Sequence, residues 1–455
     1  MLTLDYNSSF STVTIAGLAR QAIVIHMRPV FFALAAFAVA FAEPNWPQWR
    51  GSGAAGVSDE KKLPLEWGLE KNIAWKTEIP GRGVSSPVVW GEHLFLTTAI
   101  EGEKVEGVKP PVHKLEGTVF RHPDSRGADT KHKLVVLAID RKSGKILWER
   151  TVYEGLVYDE YHNKGSYAAP TPVTDGKHVY FYFGTGGLYA FDFNGKLAWK
   201  HEMGKLGSIG MGPGTSPVLD GNHILLQCDQ EDGEGSFLMA VDKRTGKTAW
   251  KTERKNGAAW ATPLLHKDGK RSELIASGLE TTIAYDPATG KELWRGPGLD
   301  GNAVPSSVMG HGMVYVNTGY PKKNTLAFKL GGNGEVKEVW SYKKGGAYIT
   351  SPLLYGDYLY LSTDKGILTC LDAKTGDVKY ENGRPTGPST VISAMVAVDG
   401  KILLTNDEGD TYVIKAGPAF EILGKNSVGE AVQASLALAN GSIYIRGAKH
   451  LFCIR

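Results

Sequence analysis

The stretch AVDKRTGKTAW, residues 240–250, is a clean copy of an eleven-residue pattern that recurs along the chain. The pattern is Ala-x-Asp-x-x-(Ser/Thr)-Gly-x-x-x-Trp, and it returns at 138–148 and at 284–294. Looser copies lie between and after these three, at intervals of roughly 40 to 50 residues. Such a period predicts a β-propeller or a solenoid, in which one structural unit is repeated along the chain.

Each copy is predicted to form a β-hairpin. In the copy quoted above, the β-like runs SFLMAVD (236–242) and KTAWKT (247–252) flank the turn. Glycine supplies the left-handed backbone angle that the turn needs, and the Asp carboxylate accepts hydrogen bonds from backbone N–H groups of the turn. The Trp holds a fixed place on the last strand, where we expect it to pack against the neighbouring unit.

Two more short strands precede each hairpin, so the predicted unit is a four-stranded blade. The first of them opens with small residues, as in TSPV (215–218) and TSPLL (350–354). Proline removes a hydrogen-bond donor from a strand and therefore belongs at a sheet edge. The innermost strand of a propeller blade is such an edge, and it lines a narrow channel with room for small side chains.

The number of blades follows from the positions of the docking Trp. Eight such positions occur, and Tyr and Leu each replace Trp at one of them: Trp75, Trp148, Trp199, Trp250, Trp294, Trp340, Tyr380 and Leu423. The C-terminal blade lacks its last strand, while the segment 72–79 around Trp75 has no strands before it. We therefore predict an all-β, eight-bladed β-propeller of four-stranded antiparallel blades, closed by an N-terminal strand that completes the C-terminal blade. Closure removes exposed sheet edges. Seven blades are the alternative.

The N-terminal region indicates export. Met27 and Arg28 precede an apolar run at 30–42 that ends in Ala-Phe-Ala, which is typical of a signal peptide cleaved after Ala42. The run is short for a membrane span, although an uncleaved anchor is the alternative. The predicted organisation is an upstream extension with a signal peptide (1–42), an N-terminal arm (43–70) and the propeller (71–455), in a periplasmic or otherwise exported protein.

Charge and cysteine content are uninformative about chemistry. The 51 basic and 48 acidic residues nearly balance, so neither nucleic acid nor an anionic membrane is indicated as a partner. The three cysteines, Cys228, Cys370 and Cys453, are dispersed and odd in number. We expect buried structural thiols in a monomeric propeller.

The blade pattern resembles the tryptophan-docking motif of the pyrroloquinoline quinone (PQQ) repeat superfamily over roughly residues 71–455. This superfamily includes quinoprotein alcohol dehydrogenases and BamB-like non-catalytic propellers of outer-membrane protein assembly. The dehydrogenases typically carry two adjacent cysteines beside the quinone and a Glu, Asn and Asp set for calcium and catalysis. The sequence has no adjacent cysteines, and that set cannot be mapped onto it. Members of the BamB-like group are commonly lipoproteins, whereas no Cys stands at the predicted cleavage site.

The resemblance therefore implies a non-catalytic scaffold that binds a protein partner, with no catalytic residue and no cofactor. The alternative is an oxidoreductase that binds PQQ with calcium, or a protein that binds another small ligand. The repeat specifies the fold more strongly than the activity, because one fold supports unrelated functions.

Candidate binding residues lie on the loops that join the Trp strand of one blade to the inner strand of the next. These loops meet at one mouth of the channel, and the richest is 153–169, with Tyr158, Asp159 and Tyr167. The predicted ligand-binding or partner-binding set is Arg82, Tyr161, His162, Trp260, Asn302, Tyr348 and Arg384. An aromatic and basic rim is expected from them. Trp260 is the candidate for stacking because it is not at a docking place, with ordinary packing as the alternative.

No metal site is expected. His162 has no second His or Cys at ligand spacing, and the acidic loop 229–234 does not match the EF-hand pattern, so a solvated turn is predicted there. One long insertion, 101–133, separates the second and third strands of the first blade. It is either a partner-specific flap or a mobile surface loop.

Overall fold

The computed structural model describes residues 45–115, 117–231, 233–269, 271–330, 335–385 and 390–455, and the predicted signal peptide and upstream extension lie outside them. The described chain forms eight antiparallel blades of four strands each, which confirms the predicted fold and blade number. From the inner to the outer strand, blades 1 to 4 are Val88–Trp90, His93–Lys104, Thr130–Asp140, Ile146–Leu156; Val173–Thr174, His178–Tyr182, Leu188–Asp192, Leu197–His201; Val218–Asp220, His223–Cys228, Phe237–Asp242, Thr248–Glu253; and Leu264–Asp268, Arg271–Ala276, Thr281–Tyr285, Glu292–Pro297.

Blades 5 to 8 continue in the same order. Their strands are Val308–Gly310, Met313–Thr318, Asn324–Leu330, Val336–Tyr342; Leu353–Tyr355, Tyr358–Ser362, Leu368–Asp372, Val378–Gly383; Val396–Val398, Lys401–Thr405, Asp410–Lys415, Ile422–Ser427; and Ala437–Ala439, Ser442–Arg446, His450–Ile454, Ile73–Glu78. Strands outside this scheme are Val57–Ser58, His113–Leu115, Thr118–Phe120, Ser125–Arg126 and Tyr161–His162, and two short 3-10 turns are Ser52–Ala54 and Gly184–Gly186. The described residues include no helix long and apolar enough to cross a bilayer.

The N-terminal strand closes the propeller as predicted. Ile73–Glu78 pairs antiparallel with His450–Ile454, and Trp75 lies opposite Cys453. The Trp75 indole N–H donates to the carbonyl of Arg141 at 3.0 Å, and the Thr77 hydroxyl donates to the carbonyl of Gly144 at 2.6 Å. The outer strand of blade 8 therefore both completes its own sheet and docks on blade 1.

The tryptophans dock between blades as the repeat predicts. Each of the following indole N–H groups donates to a backbone carbonyl of the next blade: Trp75 to Arg141, Trp148 to Phe193, Trp199 to Lys243, Trp250 to Pro287 and Trp340 to Ala373. The repeat glycine lies under the ring, and a Cβ on Gly246 would come within 2.6 Å of Trp199. That glycine also has φ +72°, so two independent constraints select it. Trp294 differs, because its N–H donates to Glu273 of its own blade at 2.9 Å.

A ring of buried hydroxyl groups joins the entrances of the inner strands. In seven of eight places a backbone N–H donates to a Ser or Thr hydroxyl of the next blade, at 2.8 to 3.1 Å: Ser86 to Thr171, Thr171 to Ser216, Ser216 to Thr262, Thr262 to Ser306, Ser306 to Ser351, Ala394 to Ser435 and Ser435 to Ser86. The eighth place holds Ala394, which has no hydroxyl. The small residues predicted for the channel wall thus bond to one another.

Completing this ring should stabilise the protein. We expect Ala394→Ser to raise the free energy of unfolding by about 0.5 to 1.5 kcal/mol, because the Ser351 N–H gains the acceptor that its seven counterparts have. Urea unfolding measures the change. The matched control is Ser306→Ala, which opens the ring elsewhere and should lower the free energy by a similar amount. Destabilisation by both substitutions would contradict the role given to the ring.

The N-terminal arm crosses the lower end of the channel, where the turns between first and second strands lie. Trp46 exchanges two backbone hydrogen bonds of 2.9 Å with Val89 of blade 1, and Val57–Ser58 pairs in parallel with the inner strand of blade 7. Between these points the buried Arg50 donates to the carbonyl of Pro352 in blade 6 at 2.8 Å. The arm therefore contacts blades 1, 6 and 7 at this end, while the loops between blades lie at the upper end.

Candidate functional site

The insertion in blade 1 folds onto the upper face, which we define as the face with the loops that join one blade to the next. The predicted limits of 101–133 are too wide, because the second and third strands extend to Lys104 and begin at Thr130. The residues between them, 105–129, are called the flap. The flap contains the hairpin His113–Leu115 and Thr118–Phe120, and its strand Ser125–Arg126 pairs with Tyr161–His162.

His113 anchors the flap at two carboxylates. Its side chain is 0 % exposed; Nδ1 lies 2.7 Å from Oε1 of Glu231, and Nε2 lies 2.9 Å from Oδ1 of Asp159. Burial alone disfavours the charged ring, but the two carboxylates outweigh it and raise the pKa of His113 to about 9. His113 is therefore a buried imidazolium at neutral pH, held between a blade 1–2 loop and a blade 3 loop.

Further contacts extend this anchor across three loops. Oδ2 of Asp159 accepts hydrogen bonds of 2.6 Å from both the backbone N–H and the hydroxyl of Ser208. Arg121 of the flap binds the buried carboxylate of Glu160 through two nitrogens, at 2.7 and 3.0 Å. The Ser125 hydroxyl donates to the carbonyl of Gly210 at 2.7 Å. The flap is thus a packed element, and the mobile-loop alternative does not describe it.

Tyr161 lies beneath the flap and holds it in place. The residue is 2 % exposed. Its hydroxyl donates to Glu101 at 2.6 Å and accepts from Nε of Arg126 at 3.1 Å, while Arg126 also pairs with Glu101. Burial, followed by the hydrogen bond to Glu101, raises the pKa of Tyr161 to about 12. Its ring packs edge-on against Tyr167, with centroids 4.7 Å apart. Tyr161 therefore contacts the flap through Arg126 and is not open to an external ligand.

His162 is half-buried and lies beside two flap side chains. Its Nε2 is 3.8 Å from Oδ2 of Asp124, and its ring centroid is 5.4 Å from that of His122. Burial and the neighbouring His122 lower the pKa of His162, and Arg82 acts in the same direction. Residue 162 is distant in sequence from residues 122 and 124, so the ligand spacing around His162 does not reveal this group. Nothing in the local sequence shows that the flap folds back.

Trp260 lines a small cavity, open to solvent, among the loops of blades 1 to 4. Its indole N–H donates to the carbonyl of Gly212 at 3.0 Å, which fixes the ring. A Cβ on Gly214 would come within 2.9 Å of Trp260, so the loop approaches the indole closely because it has no side chain there. Tyr167 and Phe183 form other parts of the wall. Aromatic side chains therefore form part of the wall, and none of the described residues that line the cavity is basic, in contrast to the aromatic and basic rim expected from the sequence.

Acidic and amide groups form the polar part of this cavity. Asp229 is buried, with Oδ1 3.0 Å from Nε of Arg254, and Gln227 donates to its Oδ2 at 2.8 Å. Burial raises the pKa of Asp229 to about 6, although Arg254 and Gln227 oppose the shift. The prediction of a solvated turn at 229–234 is wrong for Asp229 and for Glu231, because the former is buried and the latter binds His113.

The other candidates lie around the rest of the upper face. Asn302 and Tyr348 are half-buried on the loops that lead into blades 5 and 6, and Arg384 is exposed on the loop into blade 7. Tyr348 packs against Tyr320 with ring centroids 5.4 Å apart. The predicted rim therefore divides into the flap region with Tyr161 and His162, the cavity with Trp260, and this second aromatic pair.

The repeats, the docking tryptophans and the closed ring of blades define a β-propeller of the PQQ-like repeat class. A family model described as outer membrane protein assembly factor BamB matches residues 129–260 and 279–454, more than half of the chain, and the chain belongs to that family. The three quoted repeats, at 138–148, 240–250 and 284–294, all fall within the matched regions.

Two similar proteins are also described as outer membrane protein assembly factor BamB. The outer membrane protein assembly factor BamB of Moranella endobia is 24 % identical over 216 residues, 43 % of this chain and 50 % of its own length. That of Burkholderia pseudomallei is 30 % identical over 115 residues, 25 % of this chain and 29 % of its own length. The chain thus spans half or less of the length of these curated relatives.

Solved structures show the same fold at low sequence identity. BamB from Moraxella catarrhalis is 15 % identical, with a TM-score of 0.52 over 78 % of this chain and 97 % of that chain. The quinohemoprotein alcohol dehydrogenase from Comamonas testosteroni is 13 % identical, with a TM-score of 0.58 over 91 % of this chain and 81 % of that chain. A protein named BamB and an alcohol dehydrogenase therefore share the architecture, which alone does not decide the function.

Proposed function

We propose that the protein is an exported, non-catalytic scaffold that binds a protein partner in outer-membrane or envelope protein assembly. The observation that carries this proposal is the flap, which is folded on the upper face and presents apolar side chains to solvent. Val112 is 72 % exposed and Val119 is 70 % exposed. Exposed apolar side chains on a folded hairpin offer a surface that a protein partner can cover. The two curated relatives carry names of assembly factors.

The channel offers little to support catalysis. Seven Ser and Thr hydroxyls at the inner strands accept hydrogen bonds from neighbouring blades, and the arm covers the lower end. The cysteines Cys228, Cys370 and Cys453 are buried in blades 3, 6 and 8. No two of them are adjacent, so they do not fit the cysteine pair beside the quinone that the resemblance to quinoprotein dehydrogenases implies.

Deleting the flap tests the scaffold proposal. We expect the protein to co-purify with outer-membrane assembly components from detergent-solubilised envelopes, and a variant with residues 105–129 replaced by a short Gly-Ser linker to lose at least about 90 % of that recovery. The matched control is Leu147→Ala, which removes an apolar side chain of the outer strand of blade 1 that is 48 % exposed. Retention by the flap variant with an intact thermal transition would overturn the proposal.

The alternative is small-ligand binding in the cavity, which the Trp260 wall and the buried Asp229 favour. Adding PQQ with Ca²⁺ to the purified protein discriminates the two functions. We expect no bound chromophore and no reduction of an electron-accepting dye with alcohols. A stoichiometric chromophore with dye reduction that Trp260→Ala abolishes would replace the scaffold proposal by a quinoprotein function.

A further inference from the structure

The group of His122, Asp124 and His162 lies where the flap meets the loop 153–169. One ligand atom from each residue lies within 4.8 Å of the others. Two imidazoles and one carboxylate form a donor set that suits Zn²⁺ and other divalent first-row transition-metal ions. The three side chains belong to neither the cavity around Trp260 nor the His113 anchor, so no role described above explains their convergence.

Backbone pairing fixes the positions of the three side chains. His162 lies opposite Ser125 in the antiparallel pair between the flap and the loop. The next residue, Asn163, donates from its amide side chain to Oδ1 of Asp124 at 2.8 Å and from its backbone N–H to the carbonyl of Asp124 at 2.9 Å. Oδ1 is thereby held, and Oδ2 faces the histidines. A hydrogen bond that orients a carboxylate in this way is typical of the shell around metal ligands.

The three ligand atoms lie within 4.8 Å of one another and must move closer together to hold an ion. Oδ2 of Asp124 lies 4.0 Å from Nδ1 of His122 and 3.8 Å from Nε2 of His162. Bond lengths near 2.0 Å to a tetrahedral Zn²⁺ ion place ligand atoms roughly 3.4 Å apart. The side chains are 29 %, 49 % and 30 % exposed, so an ion can enter from solvent and keep a coordination position for water or for a donor of a partner.

Metal binding has a definite consequence for the two rings. Nδ1 of His122 now accepts the backbone N–H of Asp124 at 3.2 Å, and Nδ1 of His162 accepts that of Lys164 at 3.1 Å. If His162 binds the ion through Nε2, its ring carries the proton on Nδ1 and gives up its hydrogen bond to Lys164. If His122 binds through Nδ1, the lone pair that now accepts the N–H of Asp124 goes to the ion. Metal binding therefore replaces two local hydrogen bonds, and this change is measurable.

We propose that His122, Asp124 and His162 bind a divalent first-row transition-metal ion, with Zn²⁺ as the reference ion, and that the ion joins the flap to the loop 153–169. The site has three protein ligands and at least one open position. Its occupancy stiffens the edge of the upper face next to the exposed flap hairpin. The site does not depend on any partner.

Calorimetric titration of the untagged, EDTA-treated protein with Zn²⁺ tests the site, with Co²⁺ absorption as a report of the coordination. We expect one equivalent to bind. Asp124→Asn and His162→Ala should each weaken binding by more than about tenfold, and Asn163→Ala should weaken it by roughly 10 to 100-fold with unchanged stoichiometry, because Asn163 only orients Asp124. The matched control is Asp129→Asn, an acid of the same flap that pairs with Lys104 and should leave binding unchanged.

Hydrogen exchange gives a second readout. Zn²⁺ should slow amide exchange in Ser125–Arg126 and Tyr161–His162 of the wild type and should have no such effect on Asp124→Asn. Asp124 is exposed, so its isosteric replacement is expected to leave the circular dichroism spectrum unchanged. The proposal fails if no saturable one-to-one binding is found, or if Asp124→Asn and His162→Ala bind Zn²⁺ as tightly as the wild type, which would mark an adventitious surface ion.

Discussion

Replacing Trp75 by Ala should lower the free energy of unfolding by about 3 to 5 kcal/mol, which is the cost typical of truncating a packed Trp. The ring covers Gly144 of blade 1, and the indole N–H bonds to the carbonyl of Arg141 at 3.0 Å. The strand that carries it, Ile73–Glu78, closes the propeller through pairing with His450–Ile454. Loss of the docking contact therefore weakens the junction between the first and last segments of the fold. Urea unfolding followed by fluorescence measures the change.

Trp250→Ala is the matched control for this prediction. Trp250 docks in the same way, with its N–H 3.1 Å from the carbonyl of Pro287 and its ring over Gly290, but its blade is continuous in sequence. Both substitutions should cost similar contact energy, whereas Trp75→Ala alone should speed amide exchange in His450–Ile454 and Ser442–Arg446. Equal exchange in blade 8 for the two variants would show that the closing strand does not depend on its tryptophan.

The closure could be predicted from the sequence because its signals are local and repeated. The eleven-residue spacing fixes the turn, the Gly and the Trp within one hairpin, and a missing strand at one end matches a surplus strand at the other. Trp75 is recognisable for that reason before any contact is known. The Trp294 bond to Glu273 could not be predicted, since both residues lie at ordinary positions of their strands and only the packing of blade 4 decides the acceptor.

The candidate site was less predictable because its residues meet only after the flap folds. His113 and Glu231 are separated by 118 residues, and neither stands in a recognised spacing. The sequence did indicate the loop 153–169, yet its prominent Tyr161 is buried under the flap, while Asp159 is one of several residues that link the flap to the blades. An insertion has no repeat to fix its register, so the repeat pattern does not predict how the flap folds.

Replacing His113 by Ala should release the flap while leaving the propeller folded. The substitution leaves the carboxylates of Asp159 and Glu231 without the cation between them, and breaking a buried ion pair from one side costs about 3 to 5 kcal/mol. Amide exchange in His113–Leu115 and Thr118–Phe120 should become more than about a hundredfold faster. The control is Lys114→Ala, which removes an exposed charge from the same strand and should leave exchange nearly unchanged.

The same anchor predicts how flap stability depends on pH. The pKa of His113 is about 9 in the folded protein, above its ordinary value of 6.5. A raised pKa contributes stability that is fully present below pH 6.5 and is lost as the pH rises through 9, up to about 3 kcal/mol in all. Flap exchange in the wild type, corrected for its intrinsic pH dependence, should therefore accelerate between pH 6.5 and 9. The Tyr158 hydroxyl, whose pKa is raised by burial and by Asp159 and Glu231, stays neutral over this range.

The His113→Ala variant separates this cause from a general loosening at high pH. Without the imidazolium, the corrected exchange of the flap should be fast and nearly independent of pH over the same interval. Exchange in Phe237–Asp242, a central strand of blade 3 that lies outside the flap, serves as the internal reference. A wild-type flap whose corrected exchange stays constant from pH 6.5 to 9 would show that His113 is not charged between its two carboxylates. The pair of Arg121 with Glu160 and the strand pair at Ser125–Arg126 would then hold the flap without a charge on His113.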